Sequence, residues 1–536
     1  MRKFLFGVLL TLSITRSYGQ STPNVNIPYD YQFYQKFNRQ IYDQQAKFHS
    51  ATKSVYADDS KLSSTYDSLM KIGVDTLNRG SWVHRKLFNE HLLEFKGDDY
   101  RIYADFLPDF QIGRDLYDGR TTWLNTRGFQ VGGNVGRQFS FYLNGFENQA
   151  KFANYVNQFV KENQVVPGQG SGKLGDDTQD WSYVTALLSF TPNKYLNFAL
   201  GYDKNFIGDG YRSMLLSDVS SNYSFFRLRA TLGAVQYQTI FAYMLDPGAP
   251  KLATGRRLGD RGKWMAAHYL DWNVSNKVSI GFFQAVTWAD AEVEGKRGFD
   301  FNYIHPFIFL RPVESTNTTS PDKMRIGLNV KYEVLKRTAL YGQFMFDEFT
   351  AKEFFAGNGY WANKFAVQIG LRGSDLLNIS GLNYLAEFNS ARPYTYAHFD
   401  RVSNYSNYNQ PLAHPYGANF REFLGMMNYS YKRFDFQGQA IYSRYGLDAV
   451  GSNYGKDIFK SYESRSLDYG SHVGQGIKTN LYYTRLQVAY LINPKYNLRL
   501  EVAGALRRES NDLGINNSHL ITFGLRSSFR NIYHDF

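Results

Sequence analysis

Near its C-terminal end the chain alternates apolar and polar residues. Leu498, Leu500, Val502 and Leu506 are apolar, with Asn497, Arg499, Glu501 and Arg507 between them. After a polar break at 508–517 the alternation resumes as Ile521, Phe523, Leu525 and Phe529 against Thr522, Arg526 and Ser528. A period of two marks a strand with one apolar and one wet face. It lapses at Asn531, Ile532 and Tyr533, which predicts a bulge or a strand end there. From residue 100 onward the same pattern recurs in segments of about ten residues, long enough to cross a bilayer as tilted strands. Eighteen are predicted, at about 100–113, 127–135, 138–149, 181–191, 194–203, 223–233, 235–245, 264–274, 277–289, 324–334, 337–347, 362–372, 378–389, 420–431, 433–445, 480–491, 496–507 and 518–530. In the clearest, Ile326, Leu328, Val330, Tyr332 and Val334 alternate with Gly327, Asn329, Lys331 and Glu333.

The links between segments alternate too. After even-numbered segments they are short, as at Gly136-Arg137, Pro192-Asn193, Lys336 and Lys432; after odd-numbered ones they are long, from 114–126 to 508–517. Short turns at one end and long loops at the other are the plan of a transmembrane barrel. The fold class expected is therefore an all-β transmembrane barrel of about 18 antiparallel strands, preceded by a small N-terminal helical segment. A spanning sheet must close, because each unpaired backbone group facing lipid costs several kcal/mol. Arg229, Lys331, Arg485 and Arg499 take the parity opposite to the apolar residues, as an aqueous interior requires. Trp181, Trp264, Trp288 and Trp361 fall at strand ends, where an interfacial girdle is expected. The terminal Phe536 looks like the assembly signal of bacterial outer-membrane barrels, which would put it at the short-turn, periplasmic end.

Composition agrees with a wall between lipid and water. There are 42 Tyr and 43 Phe, yet no run of 18 apolar residues that would span a membrane as a helix. Arg2-Lys3, an apolar run to Ile14 and Ser17-Tyr18-Gly19 read as a secretory signal peptide over 1–19. Residues 20–98 carry apolar positions at helical spacing (Phe33, Phe37, Ile41; Leu87, His91) and read as amphipathic helices, periplasmic or plugging the lumen. The barrel is assigned 99–536. The chain has no Cys, which removes disulfides, thiol catalysis and cysteine metal sites. The net charge of +12 suits acidic partners such as lipopolysaccharide or acidic glycans.

Three loop segments combine Gly or Pro, aromatics and Arg. They are 205–218, with Tyr211, Arg212 and Asp218; 303–312, with His305 and Arg311; and 413–425, with His414, Asn419 and Arg421. Those eight residues are the candidate glycan contacts, by stacking and hydrogen bonding. The competing role for the segments is packing inside the lumen, since Leu215, Leu216, Ile308 and Phe309 are too apolar for free loops. Gly170-Ser171-Gly172-Lys173 lacks the spacing of a phosphate loop, and the ten His show no metal spacing. No cofactor, metal, catalytic residue or nucleic-acid partner is expected, and the chain reads as a non-enzyme.

The run Gly208-Asp209-Gly210-Tyr211-Arg212-Ser213, continuing to Asp218, and the run His414-Pro415-Tyr416-Gly417-Ala418-Asn419-Phe420-Arg421-Glu422 resemble the capsule-assembly Wzi family. They are most similar to its Bacteroidota branch, which includes the gliding-motility protein RemB. The resemblance implies an eighteen-stranded outer-membrane barrel acting as a surface lectin for capsular or exopolysaccharide. Its partners would be surface polysaccharide, outer-membrane lipid and lipopolysaccharide, and the barrel-assembly machinery during biogenesis; in the gliding branch they would include motility or secretion proteins. A motility or adhesion role and a diffusion porin stay open as alternatives.

Overall fold

The computed structural model describes the chain except for residues 1–25, 44–47, 55–59, 76–79, 253–259, 293–294, 306–321 and 528. The leader segment therefore lies outside the described residues. Strands β1 (Tyr100–Asp115), β2 (Thr121–Val135), β3 (Phe139–Lys151), β4 (Gln179–Asn193), β5 (Leu196–Asp203) and β6 (Tyr223–Leu232) open the wall. It continues with β7 (Val235–Asp246), β8 (Arg261–Asn273), β9 (Val278–Ala289), β10 (Lys323–Leu335), β11 (Thr338–Glu348) and β12 (Lys364–Gly373). The last six are β13 (Leu382–Ala391), β14 (Phe420–Tyr431), β15 (Phe434–Leu447), β16 (Ile477–Asn493), β17 (Leu498–Asn511) and β18 (Gly514–Ser527). Each pairs antiparallel with its sequence neighbours, and β1 pairs β18 from Asp109↔Arg526 to Asp115↔Leu520. The result is a closed 18-stranded antiparallel barrel. Inside the seam Arg526 donates to both oxygens of Asp109, at 2.7 and 3.0 Å, a bidentate pair that fixes register.

The alternation sorts side chains as the sequence implies. On β10 Arg325, Asn329, Lys331 and Glu333 point inward and are buried, whereas Ile326, Leu328, Val330, Tyr332 and Val334 are exposed on the outside. Such outward apolar residues recur around the wall, and a belt of this kind is stable only against lipid. Leu328→Arg, near mid-strand, is expected to cost about 2–4 kcal/mol, and Val334→Arg near the rim about 0–1 kcal/mol. Urea unfolding of the barrel in lipid vesicles measures both.

Several expectations are corrected. The links 116–120 and 512–513 are shorter than foreseen, because β1, β2, β17 and β18 run beyond the belt, where outward residues such as Thr121 and Asn517 need not be apolar. The even-side link 374–381 is long and holds a helical turn, Leu376–Asn378. Trp181 faces the lumen and is 2% exposed; Trp288 is covered by Tyr303 and Phe299, whose link folds down outside the wall. Neither stands in an interfacial girdle.

The larger correction concerns Phe536. The last strand stops at Ser527, and residues 529–536 turn back into the lumen. Phe529 packs on Phe33 with ring centroids 5.2 Å apart, the Asn531 amide donates to Asp218, and Phe536 reaches Phe159 on the helix Asn154–Asn163 of a long loop. The tail thus runs from the short-turn end toward the long-loop end. Its polar groups find buried partners there that a further strand would not offer.

The N-terminal segment enters from the same short-turn end. Helical turns Tyr31–Tyr34 and Asn38–Ile41 put Phe33, Tyr34, Phe37, Ile41 and Tyr42 into one buried cluster and Tyr31 into another with Tyr211 and Tyr533. Asp30 caps the first turn by accepting from the Phe33 amide at 2.7 Å. The segment is tied to the wall by Lys36 with Asp435 (2.9 Å), by Arg372 donating to Asn38 (2.9 Å) and by Lys331 donating to Ser50 (3.0 Å). Residues 26–43 and 48–54 therefore plug the lumen. Further helices, Ser60–Leu69 and Trp82–Phe88, follow before the first strand.

Candidate functional site

Two of the motif loops fold inward. Residues 205–222 are all buried. At Gly210 a Cβ would come 2.3 Å from a carboxylate oxygen of Glu387; the bare backbone lets the amides of Tyr211 and Arg212 donate to Glu387 at 3.0 and 3.2 Å. Asp209 accepts from Ser50 at 2.5 Å and Tyr42 at 3.1 Å. Loops meet across the lumen, where Tyr396 donates to Met214 O (2.8 Å) and Tyr405 to Leu215 O (2.7 Å).

Arg212 is the centre of this packing. Its guanidinium lies 3.3 Å from Glu422 and 3.1 Å from Asp535, with all three side chains at 4% exposure or less. His414 sits 2.8 Å from Glu422, and Asn389 donates to the same carboxylate at 2.9 Å. Burial lowers the His414 pKa against the opposing pull of Glu422. Tyr211 donates to Asp535 at 2.9 Å, and Asp218 accepts from Tyr533 at 2.8 Å. Asn419 donates to the carbonyls of Gly446 (3.0 Å) and Gln475 (2.9 Å). The structure thus brings Tyr211, Arg212, Asp218 and His414 into one buried network, with Asn419 buried beside a neighbouring loop. Arg421 is exposed on the outward face of β14, His305 is exposed on the link 290–322, and Arg311 lies outside the described residues. A cavity of about 350 Å³ lies between plug and wall, reaching from Tyr66 and Lys495 to Asp203 and Lys204.

The exposed chemistry at the long-loop end is built elsewhere, by links 349–363 and 448–476. Their backbones pair: the Trp361 amide donates to Asp468 O (3.0 Å), Gly470 to Asn358 O (2.9 Å) and Ser471 to Gly359 O (2.8 Å). Gly359 has φ +70°, and a Cβ there would meet Gly470 at 2.9 Å, so the close approach needs glycine. Arg392 clamps the pair by donating to Tyr360 O and Ser471 O, at 3.3 and 3.2 Å.

Four rings come together on that frame. Tyr360 lies 5.4 Å from Tyr469, and Trp361 lies 5.0 Å from Tyr462. The Arg465 guanidinium covers Trp361 at 4.3 Å, and Lys364 Nζ lies 4.0 Å from the Tyr462 centroid. Tyr469 is 53% exposed and the neighbouring Phe399 is 44% exposed. His398, beneath Phe399, has its pKa lowered to about 3 by burial and by nearby Lys323 and Arg325, so it is neutral at physiological pH. Tyr360, Trp361 and Tyr462 are partly exposed, Lys364 is buried, and Arg465 pairs with Asp468 at 2.5 Å. Partly exposed rings of this kind can stack on sugar faces. Sequence reasoning did not select Tyr360, Tyr462, Arg465 or Tyr469, and took Trp361 for a girdle residue. The two halves lie about a hundred residues apart, and only the fold joins them.

The fold is similar to that of Wzi. This Escherichia coli protein is described as an outer membrane protein involved in group 1 capsule assembly and a carbohydrate-binding β-barrel; the match has 12% identity and a TM-score of 0.54, and covers 95% of this chain and 100% of Wzi. Pseudomonas aeruginosa OprD matches at 10% identity and a TM-score of 0.41, over 79% of this chain and 94% of OprD. P. aeruginosa OccK7 matches at 9% identity and a TM-score of 0.41, over 80% and 99%. No family model matches the chain, and no curated relative is found.

Proposed function

We propose that this protein is an exported, non-enzymatic outer-membrane barrel that holds capsular or exopolysaccharide at the cell surface, with the long-loop end outside. The observation that carries the reading is the Tyr360, Trp361, Tyr462 and Tyr469 ring surface with Arg465 beside it. A partly solvent-facing aromatic surface suits a long sugar polymer better than a small solute. In this reading the buried Tyr211, Arg212, Asp218, His414 and Asn419 act by fixing the loops. The filled lumen speaks against a diffusion porin. The motifs at 208–218 and 414–422 extend the proposal to the Wzi family's Bacteroidota branch, with the leader 1–19 directing export.

The test is a Trp361→Ala/Tyr469→Ala variant expressed in the native cell. Polysaccharide retained after washing is expected to fall at least tenfold, with the amount of barrel unchanged. Retention equal to the parent overturns the reading. Loss of colony spreading with full retention would instead assign the surface to motility, as in the gliding branch.

A further inference from the structure

On four neighbouring strands the outward apolar run stops near the long-loop end and a cation follows. Phe423 gives way to Arg421 on β14 and Tyr442 to Arg444 on β15; Leu506 gives way to Arg508 on β17. On β16 Tyr482 is followed, past Asn480, by Lys478. All four cations are exposed. Arg421 and Arg444 stand directly opposite each other in the ladder, where like charges destabilise a sheet. Among the described residues no carboxylate pairs with any of the four. Inward-facing cations of the same strands are treated differently: Arg507 lies 2.8 Å from Glu509 and Arg485 3.3 Å from Glu501. The outward set therefore carries a repulsion that an external anion would relieve.

Position and width narrow the anion. The set sits where the apolar belt ends, at the depth of lipid headgroups. In the ladder Arg421 and Arg444 are level, Lys478 stands opposite Gly446 and Arg508 opposite Tyr482, so the patch is staggered along the strands. It spans three strand spacings of about 4.8 Å, roughly 14 Å, more than one phosphate needs. Arginine's planar fork binds phosphate oxygens two at a time. Phe423 and Tyr482, both more than half exposed just below, offer apolar contact to acyl chains. We propose that this rim binds a glycolipid whose headgroup carries two phosphates, in the leaflet at the long-loop end. The proposal rests on the membrane orientation of the function above, and not on the polysaccharide surface.

The full chain in detergent, challenged with diphosphoryl lipid A, monophosphoryl lipid A and cardiolipin, gives the test by native mass spectrometry. Diphosphoryl lipid A is expected to bind the parent at least tenfold more tightly than R421Q/R444Q, and more tightly than the other two lipids bind. Lys277→Gln, an exposed cation in the β8–β9 turn across the barrel, should change nothing. Removing the opposed pair should leave the fold intact by heat-modifiability; if it does not, K478Q/R508Q carries the same expectation. Equal binding by the variant, or equal binding of either other lipid, overturns the proposal. Polysaccharide retention should be unchanged in K478Q/R508Q, so the two readings fail separately.

Discussion

Arg212→Met is expected to destabilise the barrel by about 3–5 kcal/mol, the usual consequence of stranding a buried partner charge. The guanidinium faces two carboxylates, Glu422 and Asp535, neither reached by solvent. Methionine fills much of the space, so the loss comes from uncompensated charge and not from a void. Denaturant unfolding in detergent micelles, followed by heat-modifiability on gels, gives the number. The triple variant Arg212→Met/Glu422→Gln/Asp535→Asn should recover most of it, because neutral amides can be desolvated at far lower cost than ions. If the single variant were as stable as the parent, the network would be an accident of packing. The same substitution should also free the tail, since Asp535 holds it through Arg212, Tyr211 and Gln439.

The intact chain is expected to be electrically silent in planar bilayers. An eighteen-stranded wall is wide enough for a water-filled channel, yet among the described residues at least four parts of the chain enter this lumen. Plug residues 26–43 and 48–54 come from the short-turn end, loops 205–222 and 392–419 meet across the middle, and tail 529–536 runs between them. A chain lacking residues 26–54, with 206–218 replaced by a short Gly-Ser linker, should instead show steady ohmic conductance. A heat-modifiability check separates an open barrel from one that has not folded. Steady current through the parent chain would contradict the filled-lumen description and revive the porin alternative.

The wall was legible in the sequence because its signal is local. Each strand carries its own two-residue period, and one polar residue on the wrong face would face lipid at several kcal/mol. All eighteen predicted segments overlap observed strands, and the errors fall at strand ends, where β1, β2, β17 and β18 leave the membrane and lose the outward apolar constraint. What fills the wall was only half legible. Gly208 to Asp218 stood out as a motif, and its greasy Leu215 and Leu216 argued for packing, but its partners Glu387, Gln343 and Asp535 lie far away in sequence. The ring surface was illegible for the same reason: Trp361 and Tyr469 are ordinary aromatic residues until two loops pair. Phe536 misled because an aromatic terminus imitates a strand end, although the lapse at Asn531 to Tyr533 already marked where the strand gives out.

The two ends of the described chain meet inside it. The Tyr31 amide donates to Asn531 at 2.7 Å across 500 positions, and Phe33 packs on Phe529. Contacts of such separation form late, because the intervening loop must first be closed. The order of assembly follows. Zipping β18 onto β1 has to come before the interior can settle, and the tail must thread in from the short-turn side after its own strand has closed the wall. Once the wall is closed, the stopper and tail lock each other from within.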